Sequence, residues 1–151
     1  MRALRGVGLD AILNYMARGR ADDWFRQAKN DLLWSQDTLN SRRYAQACFS
    51  AQQVGGKAIK ALAFARGNDE VRSRSILEIS RALDENGEIE RIAMRLDQYY
   101  ISARYPDAFP SGAPFEFFTS DQATEAVGFA ERLIELIEER FGGDEADSDQ
   151  A

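Results

Sequence analysis

All three prolines of the chain, Pro106, Pro110 and Pro114, fall within nine residues, and the stretch from Asp22 to Ala103 contains none. Proline removes a backbone donor and clashes with the preceding helical turn, so a long proline-free segment rich in Ala, Leu, Arg, Glu and Gln is free to be helical throughout. No run alternates β-branched and polar residues in the way a half-buried strand requires. The pattern predicts an all-α chain.

Apolar spacing divides that chain into helices. The first runs from about Asp22, as cap, to Leu39, with Trp24, Ala28, Leu32, Ser35 and Leu39 on one face; Asn40-Ser41 breaks it. The second runs from about Arg43 to Arg66 and stops at Gly67-Asn68. Its core face is built from small side chains, which invites the close approach of another helix. Gly55-Gly56 at its centre marks either such a helix or subunit contact, or simple tolerance. A third helix is expected over Val71–Leu83, ending at Asn86-Gly87, and a fourth over Glu88–Ala103. A proline-rich loop spans about 104–118. The last helix starts at a capping box, Thr119-Ser-Asp-Gln122, and ends at Gly142-Gly143. The expected architecture is an up-and-down bundle of four to five helices over residues 20–141. Residues 1–19 form a loosely ordered N-terminal extension, with Met16 an alternative start to Met1, and the acidic residues 142–151 form a disordered tail.

At 151 residues and 44% hydrophobic content such a bundle has a core of its own. The composition excludes more than it suggests. There is no histidine, which removes His-based acid–base chemistry, His-activated nucleophiles and His-ligated metals. A single cysteine, Cys48, excludes an internal disulfide and fits a reducing, cytoplasmic setting; placed on the apolar face of helix two, it reads as an inert buried thiol. No apolar run is long enough to cross a membrane, and neither a metal nor a cofactor is implied. A net charge of −6 argues against a broadly basic nucleic-acid binder but leaves room for a local basic site.

Two local candidates stand out. Gln53, Lys57 and Lys60, spaced i, i+4 and i+7, share one polar face of helix two, although taken alone a solvated face explains them better. Residues 99–118 hold seven of the sixteen aromatics, and the pair Arg104-Tyr105 beside them suits holding a phosphate or stacking on a base. The plain alternative is a long loop that staples itself down with its rings.

The order of motifs resembles the HEPN domain family. The resemblance rests on Ala28-Lys-Asn-Asp31-Leu32, Tyr44-Ala-Gln-Ala-Cys48-Phe-Ser-Ala-Gln52-Gln53, Lys57-Ala-Ile-Lys60-Ala61-Leu62 and Leu96-Asp-Gln-Tyr99-Tyr100-Ile-Ser-Ala-Arg104-Tyr105-Pro106-Asp107, and covers residues 20–141. It implies a helical bundle that dimerises and is encoded beside a minimal nucleotidyltransferase. Many members are metal-independent ribonuclease toxins that use an arginine and a nearby histidine across a dimer cleft. In some pairs the nucleotidyltransferase adds AMP to a neighbouring tyrosine.

This chain departs from that pattern. No histidine follows Arg104, Gly56 stands where the related branch carries glutamate, and Arg74-Ser75-Ile76 replaces His-Ser-Leu. The preferred expectation is therefore a homodimeric partner of a nucleotidyltransferase, in a toxin–antitoxin-like pair or as a nucleotide- or RNA-binding module, without efficient ribonuclease activity. Arg104 would hold phosphate, Tyr105 would stack or be the modified hydroxyl, and Lys57, Lys60 and Gln53 would complete the site. The alternatives are a ribonuclease with Asp107 or Tyr105 as substitute base, and a purely structural interaction module.

Overall fold

Sequence without helix breakers becomes uninterrupted helix. The computed structural model describes residues 8–150, and its regular elements are α1 Leu9–Asn40, α2 Tyr44–Ala65, α3 Ile76–Ala82, α4 Glu88–Asp97, the single turn α5 Tyr99–Ser102, and α6 Ser120–Gln150. No strand occurs among the described residues. The all-helical bundle expected from periodicity is the one observed.

The central helix is α2. Fourteen of its 22 residues are buried, so it is enclosed on most sides by α1, α6 and the short helices α3 to α5. Its small side chains admit these neighbours: Ala47, Ala51, Ala58 and Ala61 are fully buried against Ile76, Ile89, Leu96, Leu133 and Ile137 of the common core. The Gly55-Gly56 pair splits into two roles. A β-carbon on Gly55 would lie 2.6 Å from Ile76 Cδ1, 3.1 Å from Leu96 Cδ1 and 3.2 Å from Leu133 Cδ2, whereas one on Gly56 would meet nothing within 4 Å. The close contact at Gly55 is with α3, α4 and α6 of the same chain, not with a second subunit.

Several boundaries differ from expectation. Helix α1 begins at Leu9, thirteen residues before Asp22, because nothing in the preceding segment stops it; Gly8, in extended conformation, lies ahead of it. Asp22 is no cap but pairs with Arg26 one turn later at 3.0 Å. Of the N-terminal extension, residues 1–7 lie outside the described residues, and Leu9–Gly19 are part of α1. Helix α3 starts at Ile76 instead of Val71, because Ser75 is its cap: the Glu78 amide donates to Ser75 Oγ at 3.0 Å. The fourth helix is interrupted at Gln98, which separates α4 from α5. Helix α6 does not end at Gly142-Gly143. Glycine costs about 1 kcal/mol in a helix but keeps its N–H, unlike proline, and Asp144 just beyond is held by Arg66 Nε at 2.9 Å. The segment expected to be a disordered tail is thus helical to Gln150.

The cap of α6 is as expected, with the Gln122 amide donating to Thr119 Oγ1 at 3.2 Å and the Thr119 amide donating to Gln122 Oε1 at 3.0 Å. Tyr105 is extended (φ −119°, ψ 130°), as a residue before proline should be, and the helical arm ends before it. The loop that follows is closed by its own rings: Phe109 stacks on Phe117 at 4.6 Å and meets Phe118 edge-on at 6.3 Å, while Phe118 contacts Tyr99 at 5.8 Å. At Gly112 (φ 82°) a β-carbon would collide with the Phe117 ring at 2.7 Å, so the turn needs glycine.

Candidate functional site

Helical spacing brings Gln53, Lys57 and Lys60 onto one side of α2. Against that side lie Arg74, in the segment leading into α3, Tyr100 of α5, and Arg104 just beyond it. A cleft of about 340 Å³ opens between them, with Trp24 of α1 and Phe49, Gln52 and Gly56 of α2 completing its lining.

Four cations face this cleft. Lys57 pairs with Asp31, a buried carboxylate that also accepts from Gln27 Nε2 at 2.7 Å. Lys60, Arg74 and Arg104 have no carboxylate partner among the described residues. Their geometry is fixed by rings and neutral oxygens instead. Lys60 Nζ sits 5.3 Å above the Trp24 ring. The Arg74 guanidinium donates to the Tyr100 hydroxyl at 2.8 Å. Arg104 Nε donates to the Tyr100 carbonyl at 2.9 Å, and its guanidinium lies over Phe49 (4.3 Å), Tyr100 (4.6 Å) and Tyr105 (4.8 Å). A guanidinium over an aromatic face gains about 0.5–2 kcal/mol according to how far it is desolvated.

The ionisation equilibria record this crowding. Burial, reinforced by the positive charges of Arg74 and Lys57, holds the Lys60 ammonium below its ordinary pKa. The hydrogen bond from Arg74 holds the Tyr100 phenol below its own. With only Lys57 neutralised, the cleft is strongly positive in a chain whose net charge is −6.

A partly buried polar relay supports the wall. Asp97 Oδ1 accepts from the Ile76 amide (3.0 Å) and Gln52 Nε2 (3.1 Å), and its Oδ2 from the Leu77 amide (2.9 Å) and Ser75 Oγ (2.8 Å). Gln52 Nε2 also donates to the Arg74 carbonyl at 3.2 Å, and Gln53 Nε2 donates to Gln52 Oε1 at 2.8 Å. One carboxylate therefore caps α3 and fixes the segment that carries Arg74.

The structure brings together four of the residues expected in a nucleotide site: Gln53, Lys57, Lys60 and Arg104. Tyr105 is not in the lining; it is 47% exposed and lays its ring on Arg104 from outside. Asp107 is exposed on the 3-10 turn Pro106–Ala108, also outside the lining. Sequence reasoning missed Arg74, Tyr100 and Trp24. The Tyr99-Tyr100 pair contained a signal, since adjacent helical positions face different ways: Tyr99 packs on Phe118, Tyr100 faces the cleft. Cys48 is buried, and burial together with the charge of Glu125 pushes its thiol up to about 12, so it is no nucleophile. Among the described residues no three Cys, Asp or Glu side chains converge as metal ligands.

The family model for the HEPN domain matches residues 21–140. The chain belongs to the HEPN family. Three solved structures resemble this HEPN chain. TT1696 from Thermus thermophilus is 39% identical with a TM-score of 0.75, over 80% of this chain and 97% of its own. ST0689, an archaeal HEPN homologue, is 32% identical with a TM-score of 0.70, over 80% and 97%. A HEPN domain protein from Thermotoga maritima is 29% identical with a TM-score of 0.61, over 80% and 98%. No curated protein matches the chain. In this HEPN domain Gly56 leaves one wall of the cleft without a side chain, and the space above it is open.

Proposed function

We propose that this HEPN protein binds a phosphate-bearing nucleotide or RNA end in the cleft. In this reading it works in the cytoplasm as the homodimeric, non-catalytic member of a pair with a minimal nucleotidyltransferase, in the manner of a toxin–antitoxin system. The observation that carries the reading is the convergence of Lys57, Lys60, Arg74 and Arg104, only one of them neutralised by a carboxylate among the described residues. Such a cluster is unfavourable without an anion and favourable with one. The absence of histidine supports weak or no ribonuclease activity, and Asp107 lies outside the lining of the cleft. Tyr105 is the hydroxyl best placed for modification, being nearly half exposed and next to Arg104, whereas the Tyr100 hydroxyl is engaged by Arg74. The exposed side chains Ile101, Tyr105, Phe115 and Phe117 near that arm support a second copy as partner.

Calorimetric titration with ATP tests the reading. The native protein should bind, and Arg104→Ala should weaken binding about tenfold or more, the loss expected for one charge-assisted contact, while circular dichroism stays unchanged. Absence of binding would sink the proposal, and Arg104-dependent RNA cleavage would favour the ribonuclease. Co-expressed with the nucleotidyltransferase encoded beside it, the protein should gain the mass of AMP, and Tyr105→Phe should not. Light scattering should give twice the chain mass.

A further inference from the structure

The aromatic rings of the cleft face its own cations. Lys60 lies over Trp24, and Arg104 lies over both Phe49 and Tyr100. Each of the three rings in the lining thus has a cation on its face, where a base would otherwise stack. Of the two carboxamides that could read a base edge, Gln52 is committed: it donates to the Arg74 carbonyl and to Asp97 and accepts from Gln53, which keeps one N–H and its oxygen. What otherwise points outward is N–H: the Lys60 ammonium, and the Arg74 and Arg104 nitrogens not used on Tyr100. Lys57, paired with Asp31, lies on the same wall. A cleft of about 340 Å³ stands at the small end of ligand sites, which run from roughly 300 to 1,000 Å³. A small cavity rich in N–H donors and positive charge complements a ligand that offers acceptors and negative charge.

We infer that the cleft recognises a chain of phosphates and not a base, so that inorganic triphosphate is as good a ligand as a nucleoside triphosphate. This rests on the proposed function and gives the class of ligand: a linear oligophosphate, whatever it is attached to. The rings serve as pedestals that hold the cations in place, and the part of the ligand beyond the phosphates remains in solvent.

The test is a competition series on the full chain with inorganic triphosphate, ATP, CTP and adenosine, followed by short RNAs bearing a 5′-triphosphate or a 5′-hydroxyl. A base stacked on an aromatic side chain adds roughly five- to 150-fold in affinity. The expected result is affinities for triphosphate, ATP and CTP that agree within about threefold, below that stacking increment, with no binding of adenosine. The 5′-triphosphate RNA should compete and the 5′-hydroxyl RNA should not. Lys60→Met should weaken all three small ligands by the same factor. ATP binding at least tenfold tighter than triphosphate, measurable adenosine binding, or equal competition by 5′-hydroxyl RNA would overturn the inference while leaving a nucleotide or RNA site in place. If neither ATP nor triphosphate binds, the proposed function falls with it.

Discussion

At the scale of single residues, two adjacent glycines make opposite predictions. Gly56→Ala adds a methyl group in open space and removes the backbone freedom of glycine, so it should stabilise by about 0.5–1 kcal/mol. Gly55→Ala forces a methyl against Ile76, Leu96 and Leu133, all fully buried and unable to yield, and should cost about 1–3 kcal/mol. Urea denaturation of both variants checks the pair, and equal effects would refute the packing argument. Lys60 and Tyr100 give the cleft a pH dependence with a definite sign. An anion favours the charged form of Lys60, whose pKa is held down in the free protein by burial, Arg74 and Lys57, so affinity is full below that value and falls as pH rises through it. Tyr100, itself lowered by Arg74, adds a negative charge over the same rise. Arg74, raised by its hydrogen bond to Tyr100, keeps its charge across it, and Asp31 is engaged by Lys57 and Gln27. ATP titrations should therefore weaken as pH rises, beginning below the ordinary lysine range, and Tyr100→Phe should flatten the alkaline part of the profile.

At the scale of elements, the start of α3 depends on a residue of α4. Removing the Asp97 carboxylate leaves the Ile76 and Leu77 amides without acceptors, at about 1–3 kcal/mol for each donor left unsatisfied. Asp97→Ala should thus destabilise by about 3 kcal/mol in urea and also loosen the segment carrying Arg74, weakening ligand binding. A loss of stability with unchanged affinity would show that the relay does not reach the cleft. The C-terminal turns of α6 call for a smaller number. The Arg66–Asp144 pair is partly exposed and contributes up to about 1 kcal/mol, so deleting residues 142–151 should lower the melting temperature by about 2–4 °C or less. Arg66→Ala should cost more, because the same guanidinium also holds the buried Glu85 and the Leu83 carbonyl. Helix number and type were legible because proline and apolar period report them directly. Ends were less so. Ser75-Ile-Leu-Glu78 has the pattern of a capping box, and it starts the helix at Ile76 instead of Val71. Gly142-Gly143 has the pattern of a stop, yet glycine only weakens a helix, and the ion pair of Asp144 with the distant Arg66 is not visible in the local sequence.

At the scale of the whole molecule, the cleft was half legible. Lys57, Lys60 and Gln53 share a helix face, so spacing finds them, whereas Arg74, Tyr100 and Trp24 join them only through contacts between segments remote in sequence. That assembly has a consequence for the molecule's design. Folding collects like charges from α2, the segment before α3 and the residues just after α5 into one small space, and Lys60, held down first by burial and then by Arg74 and Lys57, is the trace of the work done. The empty protein is thus held short of the stability its own scaffold allows, a trade between robustness and readiness to bind. Lys60→Met should melt higher than the parent without ligand and lower than the parent in saturating triphosphate, where occupancy reinforces only the chain that still binds. A crossing of the two melting curves with ligand concentration would mark the cleft as a place where selection kept function at the expense of toughness.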